Sequence, residues 1–296
     1  MWSDTAMTDP SRSSSSTVEP QALRLVAERV ATEAARHLGT LPRPWDLGGG
    51  TDSVATKSTP TDVVTASDTA VETFLRERLA ALRPDDVVIG EEHGGSDGGS
   101  AADEPVVWVV DPIDGTVNFL YGLPWYAVSV AATRGGESLA GAVVEPASGR
   151  LWSAAAGGGA TCDGRRLAVS GATDVALSLL ATGFAYDARR RARQAGLVAA
   201  LLPRVRDVRR TGSAALDLCA VAAGWSDAYL EHGCSWWDWA AAALIAREAG
   251  AVVRVPGRPG SVPPDDGLGG DAILAAAPGI AEELAALARE HCAAEV

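Results

Sequence analysis

Two aspartates stand three residues apart in the segment Asp111-Pro112-Ile113-Asp114-Gly115-Thr116. Pro112 fixes its own φ and biases Asp111 toward an extended conformation, and Gly115 lets the backbone approach a ligand closely. Carboxylate oxygens are ligands that Mg²⁺ prefers, and a bound Mg²⁺ is commonly completed by a substrate phosphate. The segment therefore indicates a metal site just beyond a strand. A turn that uses Asp and Gly only for its geometry is the alternative.

Further carboxylates occur where other elements begin or end. Glu91 and Glu92 follow a predicted strand at 87–89, and the aspartate segment follows a predicted strand at 106–110. Strand ends are where a sheet positions its functional loops, so an acidic cluster is expected at this edge. Asp238 stands near a predicted helix start, where it is either a further metal ligand or a cap favoured by the helix dipole.

The composition limits the classes of function. The chain has 296 residues, 47% of them apolar, and a formal net charge of −13. A chain this acidic is repelled by nucleic acid and by anionic membranes, so neither is expected as a partner. The arginines at 189–193 are predicted to form a solvated helix face, with contact to a polyanion as the alternative. Four scattered cysteines and the lack of a signal-like segment or a long apolar run predict a cytoplasmic protein.

Hydrophobic periodicity predicts an α/β fold whose N-terminal half is α+β. A helix is expected from Leu23 to Gly39, and a second from a cap at Ser67 or Asp68 to Pro84. An antiparallel meander follows, with strands at 127–133, 139–145, 151–155 and 166–169. After about residue 175, strands alternate with helices. The predicted division is a disordered tail at 1–20, an N-terminal half at 21–174 and a C-terminal half at 175–296.

Five ordered segments, spread over roughly residues 21–292, resemble the inositol monophosphatase family. The segments are Lys57 to Asp68, Gly90-Glu91-Glu92, Asp111 to Phe119, Arg210 to Leu218, and Trp237 to Gly250. One short motif is weak support, whereas five in the same order are strong. The resemblance implies a layered αβαβα sandwich and a metal-dependent, lithium-sensitive phosphatase.

The resemblance also implies a set of metal ligands. Glu91, Asp111 and the carbonyl of Ile113 would hold one Mg²⁺, and Asp111, Asp114 and Asp238 a second, with two or three ions in total. Four carboxylates packed together without cations would repel each other strongly, which agrees with this assignment. Two metals can orient a phosphate, activate a water and stabilise the leaving oxygen.

The catalytic residues expected by resemblance surround these ligands. Glu91 is the first candidate to position or deprotonate the attacking water, and Thr116, paired with Asp68, is the second. Lys57 is expected to contact the phosphate or a metal-bound water. Glu92 is expected either to orient a ligand or to be a solvated acid.

The substrate-binding residues are drawn from both halves of the chain. Glu231 would accept hydrogen bonds from hydroxyl groups of a sugar or cyclitol. Backbone groups at a helix start, where Ser213 also qualifies as a cap, would bind the substrate from another side. The full predicted set is Asp114, Gly115, Thr116, Gly212, Ser213, Ala214, Glu231 and Asp238.

The predicted activity is Mg²⁺-dependent hydrolysis of myo-inositol 1-phosphate by a homodimeric enzyme. Histidinol phosphate, fructose 1,6-bisphosphate and 3′-phosphoadenosine 5′-phosphate are alternative substrates, because enzymes that share the metal site act on them. A non-catalytic role in binding a protein is the alternative from a different class.

Overall fold

The fold is known from a computed structural model that describes residues 15–43, 54–56, 63–95, 105–256, 260–262, 264–291 and 293–296. In the N-terminal half the elements are α1 (Ser15–Leu38), β1 (Val54–Thr56), β2 (Val63–Thr65), α2 (Ala66–Leu82), β3 (Val87–Gly90), β4 (Val107–Asp114), α3 (Thr116–Leu120), β5 (Ala127–Arg134), β6 (Glu137–Glu145), β7 (Arg150–Ala155), β8 (Gly159–Cys162) and β9 (Arg165–Arg166). In the C-terminal half they are β10 (Leu179–Thr182), α4 (Ala188–Leu201), β11 (Asp207–Arg209), α5 (Ala214–Ala222), β12 (Ala228–His232), α6 (Trp236–Glu248), β13 (Val252–Arg254), β14 (Ala272–Ala276) and α7 (Ala281–Glu290).

The larger sheet has seven strands in the order β3-β4-β5-β6-β7-β8-β9. Strands β3 and β4 are parallel, and every later neighbour pairs in antiparallel fashion, so the predicted meander is confirmed for β5, β6 and β7. The strand predicted at 166–169 was wrong, because β9 ends at Arg166 and the Val169 amide donates instead to the carbonyl of Ala249, at the end of α6. The sequence did not predict β8, because the glycines at 157–159 conceal a short strand. Two of these glycines, Gly157 and Gly159, have positive φ values and form the turn that leads into it.

The smaller sheet has five strands in the order β11-β10-β12-β14-β13. Strands β11, β10 and β12 run parallel, and β14 and β13 are antiparallel to their neighbours. The alternation of strands and helices predicted after residue 175 is therefore confirmed. It provides the crossover connections that parallel strands require.

Helices cover both sheets and fill the space between them. Helices α1 and α2 pack on the outer face of the seven-stranded sheet, and α4 and α7 lie with the five-stranded sheet on the opposite side of the molecule. Helices α5 and α6 lie between the sheets. Small residues allow α6 to approach closely, since a Cβ added at Gly141 would lie 2.8 Å from Cα of Ala241.

The predicted division at residue 174 falls between the two sheets. Helices α5 and α6 nevertheless belong to the C-terminal half and pack against strands of the N-terminal half, so both halves share one core.

Helix α1 begins at Ser15, inside the segment predicted as a tail, and residues 1–14 lie outside the described part of the chain. Among the described residues, no helix combines the length and apolar character needed to cross a membrane.

Candidate active site

The two aspartates of the first motif lie within the end of strand β4, not beyond it as the sequence suggested. Asp111 pairs with Ser129 and Asp114 with Ala127, with a register shift between them. Residues three apart in a regular strand point to opposite faces, so this irregularity allows both carboxylates to reach one space. Asp111 is held by its own backbone, because its Oδ1 accepts a hydrogen bond from the Ile113 amide at 3.0 Å.

Asp238 joins these aspartates from a distant part of the chain. Carboxylate oxygens of Asp111, Asp114 and Asp238 lie within 4.8 Å of one another. Asp238 is in the first turn of α6, where its Oδ2 accepts a hydrogen bond from the Ser235 amide at 2.7 Å. This bond is one half of a capping box, so Asp238 caps the helix and also faces the other acids.

Glu91 and Ile113 complete the acidic side of a cleft of about 450 Å³ that the three aspartates also line. Glu91 follows β3, as predicted. The carbonyl of Ile113 accepts a hydrogen bond from the Thr116 hydroxyl at 3.0 Å, while the Ile113 side chain is buried.

Burial and mutual repulsion alter the acidity of this cluster. Burial, and then the charges of Glu91, Asp114 and Asp238, raise the pKa of Asp111 well above its usual value. Burial likewise raises the pKa of Asp238, reinforced by Asp114 and Glu91. The pKa of Asp114 rises to about 7 through burial, although hydrogen bonds from Ser213 and Ala215 oppose the rise.

This donor set fits a hard divalent cation. Hard cations prefer carboxylate and carbonyl oxygens, and a bound cation would relieve the repulsion among the buried acids. A fully buried acid such as Asp111 is costly to ionise without such compensation. The cluster can therefore hold metal.

Thr116 and Asp68 lie beside the cluster and contact each other. The Thr116 hydroxyl is 3.2 Å from Asp68 Oδ1 and shares its donor capacity between that atom and the Ile113 carbonyl. The predicted cap of α2 was wrong, because Thr65 is the N-cap and Asp68 stands at the third helical position. Asp68 Oδ2 accepts hydrogen bonds from the Thr65 amide at 2.8 Å and hydroxyl at 2.5 Å, so its other oxygen remains directed at Thr116.

Lys57 and Glu92 were also predicted to belong to the site. Lys57 lies outside the described residues. The Glu92 side chain is half-buried, and its backbone amide donates a hydrogen bond to Glu72 Oε2 at 2.6 Å. Glu72, in α2, was missed by sequence reasoning. An acid on the otherwise apolar side of a predicted helix was the signal that could have found it.

The C-terminal half also lines the cleft. Gly212, Ala214 and Glu231 line it, together with Gly115 from the first motif. Ser213 caps α5 by accepting a hydrogen bond from the Leu216 amide at 3.2 Å, as predicted. The Tyr229 hydroxyl donates to Glu231 Oε2 at 2.7 Å, and burial raises the pKa of Glu231 despite this bond.

Two arginines also line the cleft. Arg190 was predicted to lie on a solvated helix face, but it is only partly exposed and forms an ion pair with Asp271 at 2.5 Å. Arg210 is exposed, and its charge partly offsets the rise in the pKa of Glu231 that burial causes. The sequence could not separate Arg190 from its basic neighbours, because only the packing of α4 decides which of them faces inward.

The sequence profile of the inositol monophosphatase family matches residues 17–293. The chain belongs to this family. The resemblance seen in the motifs and the αβαβα sandwich expected from it are both confirmed, and the chain is a phosphatase of a metal-dependent family.

Several family members are similar over most of their length. An inositol-1-monophosphatase of Mycobacterium leprae is 54% identical over 282 residues, which span 90% of this chain and 94% of the relative. A Nus factor SuhB of Escherichia coli K12 is 38% identical over 226 residues, or 76% of this chain and 83% of the relative. The solved structure of Mycobacterium tuberculosis SuhB matches with 44% identity and a TM-score of 0.75, covering 93% of this chain and 98% of that one.

Proposed function

We propose that this phosphatase hydrolyses myo-inositol 1-phosphate to inositol and inorganic phosphate with Mg²⁺ as its cofactor. The observation that carries the proposal is that two kinds of groups line one cleft. These are acids that suit metal and phosphate, and Glu231 with backbone groups that suit polyol hydroxyls. A relative 54% identical to this chain is named an inositol-1-monophosphatase.

The metal ligands would be divided as the motifs suggest. Glu91, Asp111 and the Ile113 carbonyl would hold one Mg²⁺, and Asp111, Asp114 and Asp238 another, with two or three ions in total. When bound, Mg²⁺ supplies positive charge that orients the phosphate, favours ionisation of a water and stabilises the leaving oxygen. The role of the protein is to hold these oxygens in one place, through the β4 irregularity and the α6 capping box.

The attacking water requires a group that accepts its proton. Glu91 is the first candidate, because it lines the cleft beside Asp111. Thr116 is the second, since its hydroxyl can accept from water while it donates to Asp68 Oδ1. The new bond joins the water oxygen to phosphorus, the ester bond breaks, and the leaving inositol oxygen takes a proton.

Substrate groups away from phosphorus would be bound by the C-terminal half. Glu231 would accept hydrogen bonds from the polyol hydroxyls, while Ser213 holds Asp114 and the start of α5 in place. Gly115, Gly212 and Ala214 would allow close approach of the substrate to the backbone. Lys57 would contact the phosphate or a metal-bound water, and Glu92 would orient a metal ligand.

The experiment that tests the proposal is phosphate release from a panel of esters, with and without Mg²⁺. The panel contains myo-inositol 1-phosphate, histidinol phosphate, fructose 1,6-bisphosphate and 3′-phosphoadenosine 5′-phosphate. We expect Mg²⁺-dependent release that is fastest from inositol 1-phosphate. A different best substrate would contradict the proposed substrate and leave the proposed Mg²⁺-dependent hydrolysis in place. Release that does not depend on metal would contradict the proposal as a whole.

We also propose that the enzyme is a cytoplasmic homodimer that binds neither nucleic acid nor membranes. The net charge of −13 supports the exclusion of polyanions, and family likeness supports the dimer. Light scattering on the purified chain tests the dimer. Filter binding with RNA tests the exclusion of nucleic acid.

A second candidate function is the binding of a protein partner. It is favoured by the name Nus factor, which a relative 38% identical to this chain carries. Capture of a partner by both the wild type and a hydrolysis-deficient Asp111→Asn variant would support this role as separate from catalysis.

A further inference from the structure

Glu72 is a buried carboxylate that lies beneath the loop carrying Glu91. Its side chain in α2 has no exposed surface, and none of the proposed catalytic roles uses it. A buried carboxylate requires hydrogen-bond donors, so its partners reveal what it holds.

Those partners come from the loop that follows β3. Glu72 Oε2 accepts a hydrogen bond from the Glu92 amide at 2.6 Å, and Oε1 accepts one from the His93 amide at 3.1 Å. The His93 ring nitrogen Nδ1 is also 3.1 Å from Oε1. The backbone on the C-terminal side of Glu91 is thus bound to one carboxylate group.

Arg76, one helical turn after Glu72, completes the support. Its Nε lies 2.8 Å from Glu72 Oε1, and its two terminal nitrogens donate to the carbonyls of Val88 at 3.1 Å and Gly94 at 2.5 Å. The loop itself is closed by reciprocal backbone hydrogen bonds between Gly90 and Gly94, at 3.2 and 3.1 Å. Glu91 therefore lies in a turn whose backbone is hydrogen-bonded to α2 both before and after Glu91.

Gly90 shows how closely the carboxylate is packed. A Cβ at this position would collide with the carboxylate of Glu72, so no larger residue fits while Glu72 remains in place. The glycine of the Gly90-Glu91-Glu92 motif is therefore explained by Glu72 and not by its own backbone angles.

We propose that Glu72, with Arg76, is a positioning residue that orients Glu91 for metal binding. This inference rests on the proposed function, because it assigns Glu91 to the metal site. Groups that orient metal ligands from behind typically contribute about 10- to 100-fold to metal affinity. A direct role of Glu72 in metal binding is not part of the proposal, since both of its oxygens are engaged with the loop.

The test compares Glu72→Gln with Glu28→Gln. Glu28, in α1, is a matched control, because like Glu72 it forms an ion pair with an arginine four residues away and links its helix to a neighbouring element, here through Ser153. Unlike the Glu91 loop that Glu72 contacts, the partners of Glu28 lie away from the cleft. Mg²⁺ binding to the full-length, metal-free proteins is measured by calorimetric titration, and folding by near-ultraviolet circular dichroism. Glu72→Gln replaces one acceptor oxygen with an NH₂ group, which cannot accept from a loop amide.

We expect Glu72→Gln to weaken Mg²⁺ binding by about 10-fold or more, with Glu28→Gln unchanged. In turnover assays, the Mg²⁺ concentration for half-maximal rate should rise, while kcat at saturating Mg²⁺ stays near that of the wild type. A folded Glu72→Gln protein with wild-type Mg²⁺ affinity would overturn the inference alone. Failure of the wild type to bind Mg²⁺ would instead overturn the proposed function.

Arg76→Lys provides a second test if Glu72→Gln does not fold. Lysine keeps a charge beside Glu72 but lacks the planar fork that reaches both carbonyls. A several-fold loss of Mg²⁺ affinity is the expected result. Unchanged Mg²⁺ affinity in folded Arg76→Lys would contradict the proposal that Arg76 helps to orient Glu91.

Discussion

The Ser213 hydroxyl donates a hydrogen bond to Asp114 Oδ2 over 2.5 Å, although the two residues are 99 positions apart in the chain. The same hydroxyl accepts from the Leu216 amide and so caps α5. The Ala215 amide donates to the same carboxylate oxygen at 2.7 Å. The beginning of α5 is thereby fixed to the acidic end of β4, and one serine links the proposed substrate-binding residues to the proposed metal ligands.

Replacement of Ser213 by alanine should affect both stability and metal binding. Loss of the cap should cost about 1 kcal/mol of unfolding free energy, and loss of one of two donors to Asp114 should weaken Mg²⁺ binding by about 10-fold. Denaturant unfolding and Mg²⁺ titration measure the two effects. Asp174→Ala removes a cap contact to the Ala176 amide outside the cleft, so it should leave Mg²⁺ affinity unchanged. Equal Mg²⁺ affinity in both variants would contradict the link.

Replacement of Asp111 by asparagine should change the response of the protein to metal. Without metal, the variant should unfold at a higher temperature than the wild type, because one of the repelling buried charges is gone. Mg²⁺ at about 100 times its dissociation constant should stabilise the wild type by about 2.7 kcal/mol per site, and the variant far less. Thermal unfolding with chelator and with Mg²⁺ measures both effects. Asp163→Asn is the control, because Asp163 lies outside the cleft, and it should be stabilised by Mg²⁺ as much as the wild type is. If Mg²⁺ stabilises Asp111→Asn to the same extent, Asp111 is not a metal ligand.

Replacement of Thr116 by alanine should reduce kcat by about 100-fold or more if the Thr116 hydroxyl, together with Asp68, accepts the proton of the attacking water. Thr116→Ser keeps the hydroxyl and should restore most of the rate. Steady-state kinetics at saturating Mg²⁺ separates these variants. Thr133→Ala is a matched control, because the buried Thr133 hydroxyl also donates to a carbonyl, that of Val107, away from the cleft. A fully active Thr116→Ala enzyme would leave Glu91 as the candidate base.

Replacement of Gly183 by alanine should impair substrate binding without changing any charge. A Cβ at this position collides with the Glu231 carboxylate, so Glu231 must move away from the position in which it would bind polyol hydroxyls. We expect KM for inositol 1-phosphate to rise several-fold, with a smaller effect on kcat. Gly196→Ala, where a Cβ meets nothing, is the control and should stabilise the protein by about 0.4–1 kcal/mol. An unchanged KM in Gly183→Ala would argue against contact between Glu231 and the substrate.

Most strands and helices could be predicted from the sequence, because their hydrophobic periods are strong and their ends carry turn residues. Strands β5, β6 and β7 begin and end within two residues of the ranges predicted at 127–133, 139–145 and 151–155. Short elements were missed. Helix α3 has only five residues, and β8 follows a run of glycines, so neither contains enough periodic positions to be recognised.

The sequence by itself determined the identities of the metal-ligand candidates and the order of the motifs that carry them, because both are properties of residue type and spacing. Only the tertiary structure decided that Asp111, Asp114 and Asp238 meet within 4.8 Å, since a strand irregularity and a helix start must come together in space. It also decided that Glu72 lies under the Glu91 loop and that Arg190 faces the cleft. Such contacts join residues from separate elements, and the packing of those elements, not the local sequence, sets which side chains face each other.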